Sequence, residues 1–98
     1  MINYANGMSF SKEDIIRMVN EEKKVLTFRH FKGSTYVSDM IATDSEDHEK
    51  LRMIYHNFNH PEKKWDRELD MFLSEVDHEK YPDVTQKMRF ELIKVEED

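Results

Sequence analysis

Between Phe28 and Phe72 the chain runs Phe-Arg-His-Phe-Lys-Gly, then Tyr36, Ala42-Thr-Asp-Ser-Glu, Ile54-Tyr55, Trp65-Asp-Arg67 and Met71-Phe72. Rings and special polar groups alternate here in runs too short for amphipathic helices, and rings sit well on the pleated, half-buried surface of a strand. This constrains the fold more than anything else in the sequence: the middle of the chain must be a set of short strands.

The strands can be placed one by one. Leu26, Phe28 and His30 alternate with Thr27, Arg29 and Phe31, and Lys32-Gly33-Ser34-Thr35 supplies the turn of a hairpin. The return strand runs from Tyr36 to about Thr43, with Val37 and Ile41 on one face and Tyr36, Met40 and Ala42 on the other or around a bulge. Lys50 to Phe58 fits a strand buried on both faces or a short helix, the strand being preferred; Asn59-His60-Pro61 breaks it, and Lys64 to Arg67 is a short strand around Trp65. Leu69, Met71, Phe72, Leu73 and Val76 close this part of the core. A last element alternates Met88, Phe90 and Leu92, and Val95 to Asp98 reads as an acidic tail.

Ahead of the strands, residues 1–8 carry no period and include Asn6-Gly7, so they read as a loose tail. Ser11 is a good N-cap, Glu13 and Asp14 favour the first turn, and Phe10 with Ile15 stand where a hydrophobic staple would. A helix over 11–24 follows, with Ile15, Ile16, Met18 and Val19 as its apolar stripe, which packs on the sheet. The expectation is a single α+β domain over residues 1–98. It has an N-terminal helix on a small curled antiparallel sheet of about five strands, a β core over 26–76 and a C-terminal extension over 77–98.

Composition bears mainly on function. The 98 residues carry a formal charge of -6, split as six Lys/Arg against five Asp/Glu in residues 1–43 and nine against sixteen in 44–98. Such a field repels phosphate polymers, which disfavours nucleic acid as a partner unless a local basic patch overrides it. With no cysteine, disulfides and thiolate metal sites are excluded, and the expected setting is the cytoplasm. No apolar run suits a membrane span and the N-terminus lacks the pattern of a secretory signal.

Arg29-His30-Phe31-Lys32-Gly33, Tyr36, Ala42, Asp44-Ser45-Glu46, Tyr55, Trp65, Arg67 and Met71-Phe72 together resemble the domain of unknown function 1653 family of small uncharacterised bacterial and phage proteins. Lys80-Tyr81-Pro82, Gln86 and Arg89-Phe90 look like its longer members. The resemblance implies a compact, mostly β fold resembling an SH3-like barrel, and since the family has no established activity it implies nothing about function. Ser38-Asp39 departs from an apolar pair in the family pattern, so the second strand is expected to be an edge, or wetter; Glu68 stands where a proline usually follows the arginine.

Among possible sites, His56 and His60 lie four apart, yet their loop context favours surface histidines over metal ligands. Asp44-Ser45-Glu46-Asp47-His48-Glu49 fails the calcium-loop pattern and reads as a solvated turn. A triad drawn from Ser45 with His30 or His48 has no nucleophile elbow around it, so no enzyme and no cofactor are expected. The best candidate is a mixed aromatic and basic face of Arg29, His30, Lys32, Tyr36, Tyr55, Trp65 and Arg67, because ring planes with guanidinium groups recognise flat or anionic partners. Against it, Trp65, Tyr55 and Phe31 can be ordinary core while the cations pair with carboxylates. The expected function is a non-catalytic binding module for a protein segment or small anionic ligand. The alternative is a nucleotide or nucleic-acid binder in which Arg29, Lys32 and Arg67 meet phosphate and Tyr36 or Trp65 stacks on a base.

Overall fold

The computed structural model describes residues 2–4 and 7–97. Its first strand, β1 (Ile2–Asn3), pairs antiparallel with β2 (Ser9–Phe10), Ile2 opposite Phe10. Ile2 is fully buried and Tyr4 bridges to Leu92, so the loose tail expected over 1–8 does not hold for residues 2–4, which the core holds down. The turn between them uses Gly7 at φ +91°, a backbone conformation that costs glycine little. Asn6 of the expected Asn6-Gly7 turn lies outside the described residues, as does Asp98 of the expected acidic tail.

Ser11 caps α1 (Lys12–Ile16) through a full capping box: its hydroxyl accepts from the Asp14 amide at 3.1 Å, and its own amide donates to Asp14 Oδ2 at 3.0 Å. The continuous helix expected over 11–24 is cut short, because the chain widens into a π-helical turn at Arg17–Glu21 and leaves it through Lys23 at φ +55°. That turn sets the Asn20 amide group against the backbone of Ile41, donating to its carbonyl at 2.9 Å and accepting from its amide at 3.0 Å. Ile15, Met18 and Val19 are buried, so the apolar stripe does cover its own core.

The main sheet contains β3 (Val25–His30), β4 (Thr35–Thr43), β5 (Leu51–Asn57), β6 (Lys64–Glu68) and β7 (Phe90–Glu96), in the antiparallel order β6-β5-β4-β3-β7. A short helix, α2 (Leu69–Phe72), follows β6. The sheet is open, with β6 and β7 as its edges, so the barrel that the resemblance implies does not hold: β7 returns beside β3 instead of closing onto β6. β4 is the central strand, which corrects the edge expected from Ser38-Asp39. Burial of Ser38 is tolerated because its hydroxyl accepts the Leu26 amide at 3.0 Å, replacing a ladder bond.

An irregularity between Ser38 and Met40 decides which side chains face inward. Opposite β5, it places Tyr36, Ser38 and Ile41 beside Asn57, Tyr55 and Met53, so Ile41 shares a face with Tyr36 and not with Val37 as expected. The inner face is packed with rings. Phe72 stacks on Phe90 at 3.9 Å between centroids and 8°, while Phe28 and Tyr55 meet Phe72 edge-on at 5.0 and 5.3 Å.

Leu69, Phe72, Leu73 and Val76 enter the core as expected, but Met71 and Trp65 do not. Trp65 remains 50% exposed on an edge strand, beyond which no further strand of the sheet pairs among the described residues. Residues 77–98 are more than an extension. β7 pairs with β3 from Val25 opposite Glu96 to His30 opposite Phe90, which makes much of the presumed acidic tail a strand. The alternation of Met88, Phe90 and Leu92 is real, and all three are buried.

Candidate functional site

Hairpin geometry positions the first functional side chains. The turn between β3 and β4 is closed by the His30 amide to the Ser34 carbonyl and the Gly33 amide to the His30 carbonyl, both 2.8 Å, and Gly33 takes φ +104°. This curls Lys32 back so that its amide donates to His30 Nδ1 at 3.1 Å. The acceptor role of Nδ1 fixes the tautomer, leaving the proton of neutral His30 on Nε2.

A second segment closes the other side. The Val76 amide donates to the Lys87 carbonyl, the Arg89 amide to the Ser74 carbonyl and the Phe31 amide to the Arg89 carbonyl. Gln86 spreads its side-chain amide over the carbonyls of Arg29, Met88 and Arg89. Arg89 Nε donates to Ser74 Oγ at 2.8 Å, which steers its guanidinium. Asp77 spends its carboxylate on the amides of Glu79 and Lys80, and the bend it makes delivers Lys80 and Tyr81.

Hairpin and arm enclose a cleft of about 420 Å³ lined by His30, Phe31, Lys32, Ser34, Tyr36, Tyr55, Arg67, Asp77, Lys80, Tyr81, Arg89 and Phe90. Aromatic residues form the inner wall: Tyr36 meets Tyr55 at 5.3 Å and 90°, and His30 meets Phe90 at 4.9 Å. Arg67 stands 5.8 Å from the Phe90 ring centre. Lys32 and Lys80 each stand 5.4 Å from the Tyr81 ring, which itself leans on Phe31.

Charge is distributed unevenly over the molecule. Lys12, Arg17, Lys24, Arg29, Arg52, Lys64, Lys87 and Lys94 each have a carboxylate within ion-pair distance. Seven have none among the described residues: Lys23, Lys50 and Lys63, scattered over the surface, and Lys32, Arg67, Lys80 and Arg89, which all line the cleft. Their effect is visible on their neighbours. Burial first, then the charges of Arg67, Lys32 and Arg89, press the His30 pKa down to about 4. Hydrogen bonding to Lys32, reinforced by the charges of Lys32 and Lys80, lowers that of Tyr81.

Of the residues expected from the sequence, His30, Lys32, Tyr36, Tyr55 and Arg67 come together in this cleft. Arg29 does not: alternation along β3 turns it to the opposite face, where it pairs with Glu91 at 3.3 Å. Trp65 shares a face with Tyr55 and Arg67 by register but lies outside the cleft. Sequence reasoning missed Lys80, Tyr81 and Arg89, although Lys80-Tyr81-Pro82 and Arg89-Phe90 were visible as short motifs.

The other motifs have local partners. His56 Nδ1 lies 3.0 Å from the Asp39 carboxylate and His60 Nδ1 3.4 Å from Glu62, so the two histidines address different acids. Asp44 Oδ1 accepts the amides of Glu46 and Asp47, at 2.8 and 3.1 Å, and these bonds lower its pKa. Ser45 lines a shallow depression with Arg52 and Asp66 on the outer face, away from His30, which separates two members of the triad drawn from the sequence. Among the described residues no helix is long and apolar enough to cross a membrane.

No curated protein and no solved structure matches the chain. A family model does match, that of "Protein of unknown function (DUF1653)", over residues 26–92. That span holds every residue lining the cleft, and it covers well over half of the sequence: the chain belongs to the DUF1653 family.

Proposed function

We propose that this protein is a non-catalytic binding module whose cleft holds a small anionic ligand in the cytoplasm. The observation that carries the reading is the set of cations, Lys32, Arg67, Lys80 and Arg89, that face a concave, ring-lined space without carboxylate partners in a chain of net charge -6. Acids are plentiful, and most of the cations outside the cleft, eight of eleven, use them. Leaving positive charge concentrated and unneutralised is costly to the empty protein, and a bound anion removes that cost. Guanidinium groups beside aromatic planes also give geometric selectivity for planar or tetrahedral oxyanions.

A small ligand suits the site better than a protein segment, because the space is bounded on one side by the hairpin and on the other by the arm, and its size falls in the range of small-molecule sites. A nucleic acid fits less well: the net charge opposes it and Arg29 is already paired. A nucleotide is the second reading, favoured by the exposed Trp65 ring on the same face as Arg67. The non-catalytic reading draws on the sequence, in which no nucleophile elbow surrounds Ser45, and His30, its pKa lowered to about 4, would be a feeble general base at neutral pH.

Thermal unfolding across a panel of small organic and inorganic anions tests the reading. A ligand at a hundredfold excess over its dissociation constant stabilises the folded state by about 2.7 kcal/mol. Stabilisation by at least one anion, abolished in Arg67→Ala, is the expected result. A panel without effect, or an effect that Arg67→Ala and Lys32→Ala leave unchanged, overturns it.

A further inference from the structure

We propose that the ligand is a phosphate monoester, its doubly charged head held by Arg67, Arg89 and Lys32 against the Nε2–H of His30, its organic remainder lying on the Phe31 and Tyr81 rings. This rests on the binding reading above and specifies the chemistry of that same site.

Charge number is the first consideration. Several unneutralised cations converge on one cleft, more than a single carboxylate can satisfy, whereas a phosphate monoester carries about -1.5 to -2 at neutral pH and presents three strong acceptor oxygens. The donors also have the right character. Arg89 is steered by Ser74 and Arg67 is braced over Phe90, so two planar forks of N–H donors are fixed before any ligand arrives.

His30 adds a donor that does not depend on its protonation. Its Nδ1 is occupied by the Lys32 amide, its Nε2 carries the hydrogen, and no protein acceptor meets that hydrogen among the described residues. The groups around it are Lys32 on the hairpin, Arg67 on β6, and Asp77, Lys80, Tyr81 and Arg89 on the arm; burial, and after it the charges of Arg67, Lys32 and Arg89, keep the ring neutral through the range in which a phosphate monoester titrates. Size is the last consideration. A cleft of about 420 Å³ is larger than an inorganic ion requires, and the Phe31 and Tyr81 rings, 5.0 Å apart, supply an apolar wall for an attached group.

Calorimetric titration of the purified protein with phenyl phosphate, phenyl sulfate, benzoate and inorganic phosphate separates the possibilities. Phenyl phosphate should bind at least tenfold tighter than the singly charged, similarly shaped phenyl sulfate. Its affinity should fall as pH drops below about 6, where the head takes up its proton, while phenyl sulfate stays level. Inorganic phosphate should bind more weakly than the phenyl ester. Arg67→Ala should erase the preference for phosphate over sulfate; Lys32→Ala, at the exposed turn, should reduce it and serves if Arg67→Ala folds poorly.

Equal or tighter binding of phenyl sulfate or benzoate overturns the phosphate assignment and leaves the anion-binding reading standing. Equal binding of inorganic phosphate overturns the ester. If these ligands fail to bind and no anion stabilises the protein, both readings fall together.

Discussion

Arg52 and Arg67 sit on adjacent strands, one ladder position apart, yet they live in opposite environments. Arg52 stands opposite Glu68 on the outer face and reaches Asp66 at 2.9 Å and Asp44 at 3.9 Å. Arg67 stands opposite Met53 on the inner face, over the Phe90 ring, with no acid within ion-pair distance among the described residues. A change of one residue in register exchanges a cation that closes a surface loop for one that waits at a cleft. The outer face therefore neutralises itself, whereas the inner face keeps its charge available, and only the second arrangement asks for something from outside the chain.

The most forceful way to break this contrast is to remove the floor on which the inner face rests. Phe72 is fully buried, stacks on Phe90 and meets Phe28 and Tyr55 edge-on, so Phe72→Ala deletes a ring from the centre of the core. The expected cost is about 3–5 kcal/mol by chemical denaturation. A loss below about 1 kcal/mol would mean that the aromatic stack is not what holds the hairpin and the arm together.

A smaller effect sharpens the comparison by asking what the concentrated charge does to the free protein. His30 has a folded pKa of about 4 against an ordinary value of 6.5, so the unfolded chain takes up its proton first. The sign follows directly: His30's contribution to stability is fully present above about pH 6.5 and is lost as pH falls from there toward about 4. After allowance for solvent screening the loss is about 1–2 kcal/mol. His30→Asn keeps an acceptor for the Lys32 amide but does not titrate. Denaturation curves should diverge between the two proteins below pH 6.5, with the variant losing less; parallel curves would show that the inner face exerts no such pressure.

Much of this was legible in the sequence, for physical reasons that differ from place to place. Period-two alternation located β3 and the Phe90 segment, and Lys32-Gly33 located the turn that orients His30; β5 and β6 were placed by short apolar or ring-centred runs between breakers, and β5 buries one face, through Met53 and Tyr55, where both were expected to be buried. Ile2 was not legible, because two residues are too few to show a period and its burial comes from joining a core cluster with residues as distant in the chain as Phe72 and Leu92. The facing of Ile41 depends on an irregularity after Ser38, which hydropathy does not encode. Arg29 and Trp65 were counted with the cleft because spacing alone does not say which face a residue takes or where a sheet ends. Lys80, Tyr81 and Arg89 were missed for a related reason: they reach the cleft only through the hydrogen bonds of Gln86 and Asp77, a tertiary arrangement without sequence period.

The finest test sets the two arginines against each other. Arg52→Ala removes a cation bonded to one acid and near another, leaving Asp44 and Asp66 as neighbouring like charges, so stability should fall by about 0.5–1 kcal/mol, an amount typical of exposed pairs. Arg67→Ala removes a cation that lines the same cleft as Lys32, Lys80 and Arg89. It gives up a ring contact worth about 0.5–1 kcal/mol but relieves repulsion of similar size, so the two terms nearly cancel. Raising the salt concentration should shrink the Arg52→Ala deficit by screening the lost attraction, and should make Arg67→Ala relatively less stable by screening the repulsion it relieved. Opposite salt responses from residues one rung apart are the signature of the two faces; responses of the same sign would mean that charge on the inner face is as well neutralised as on the outer.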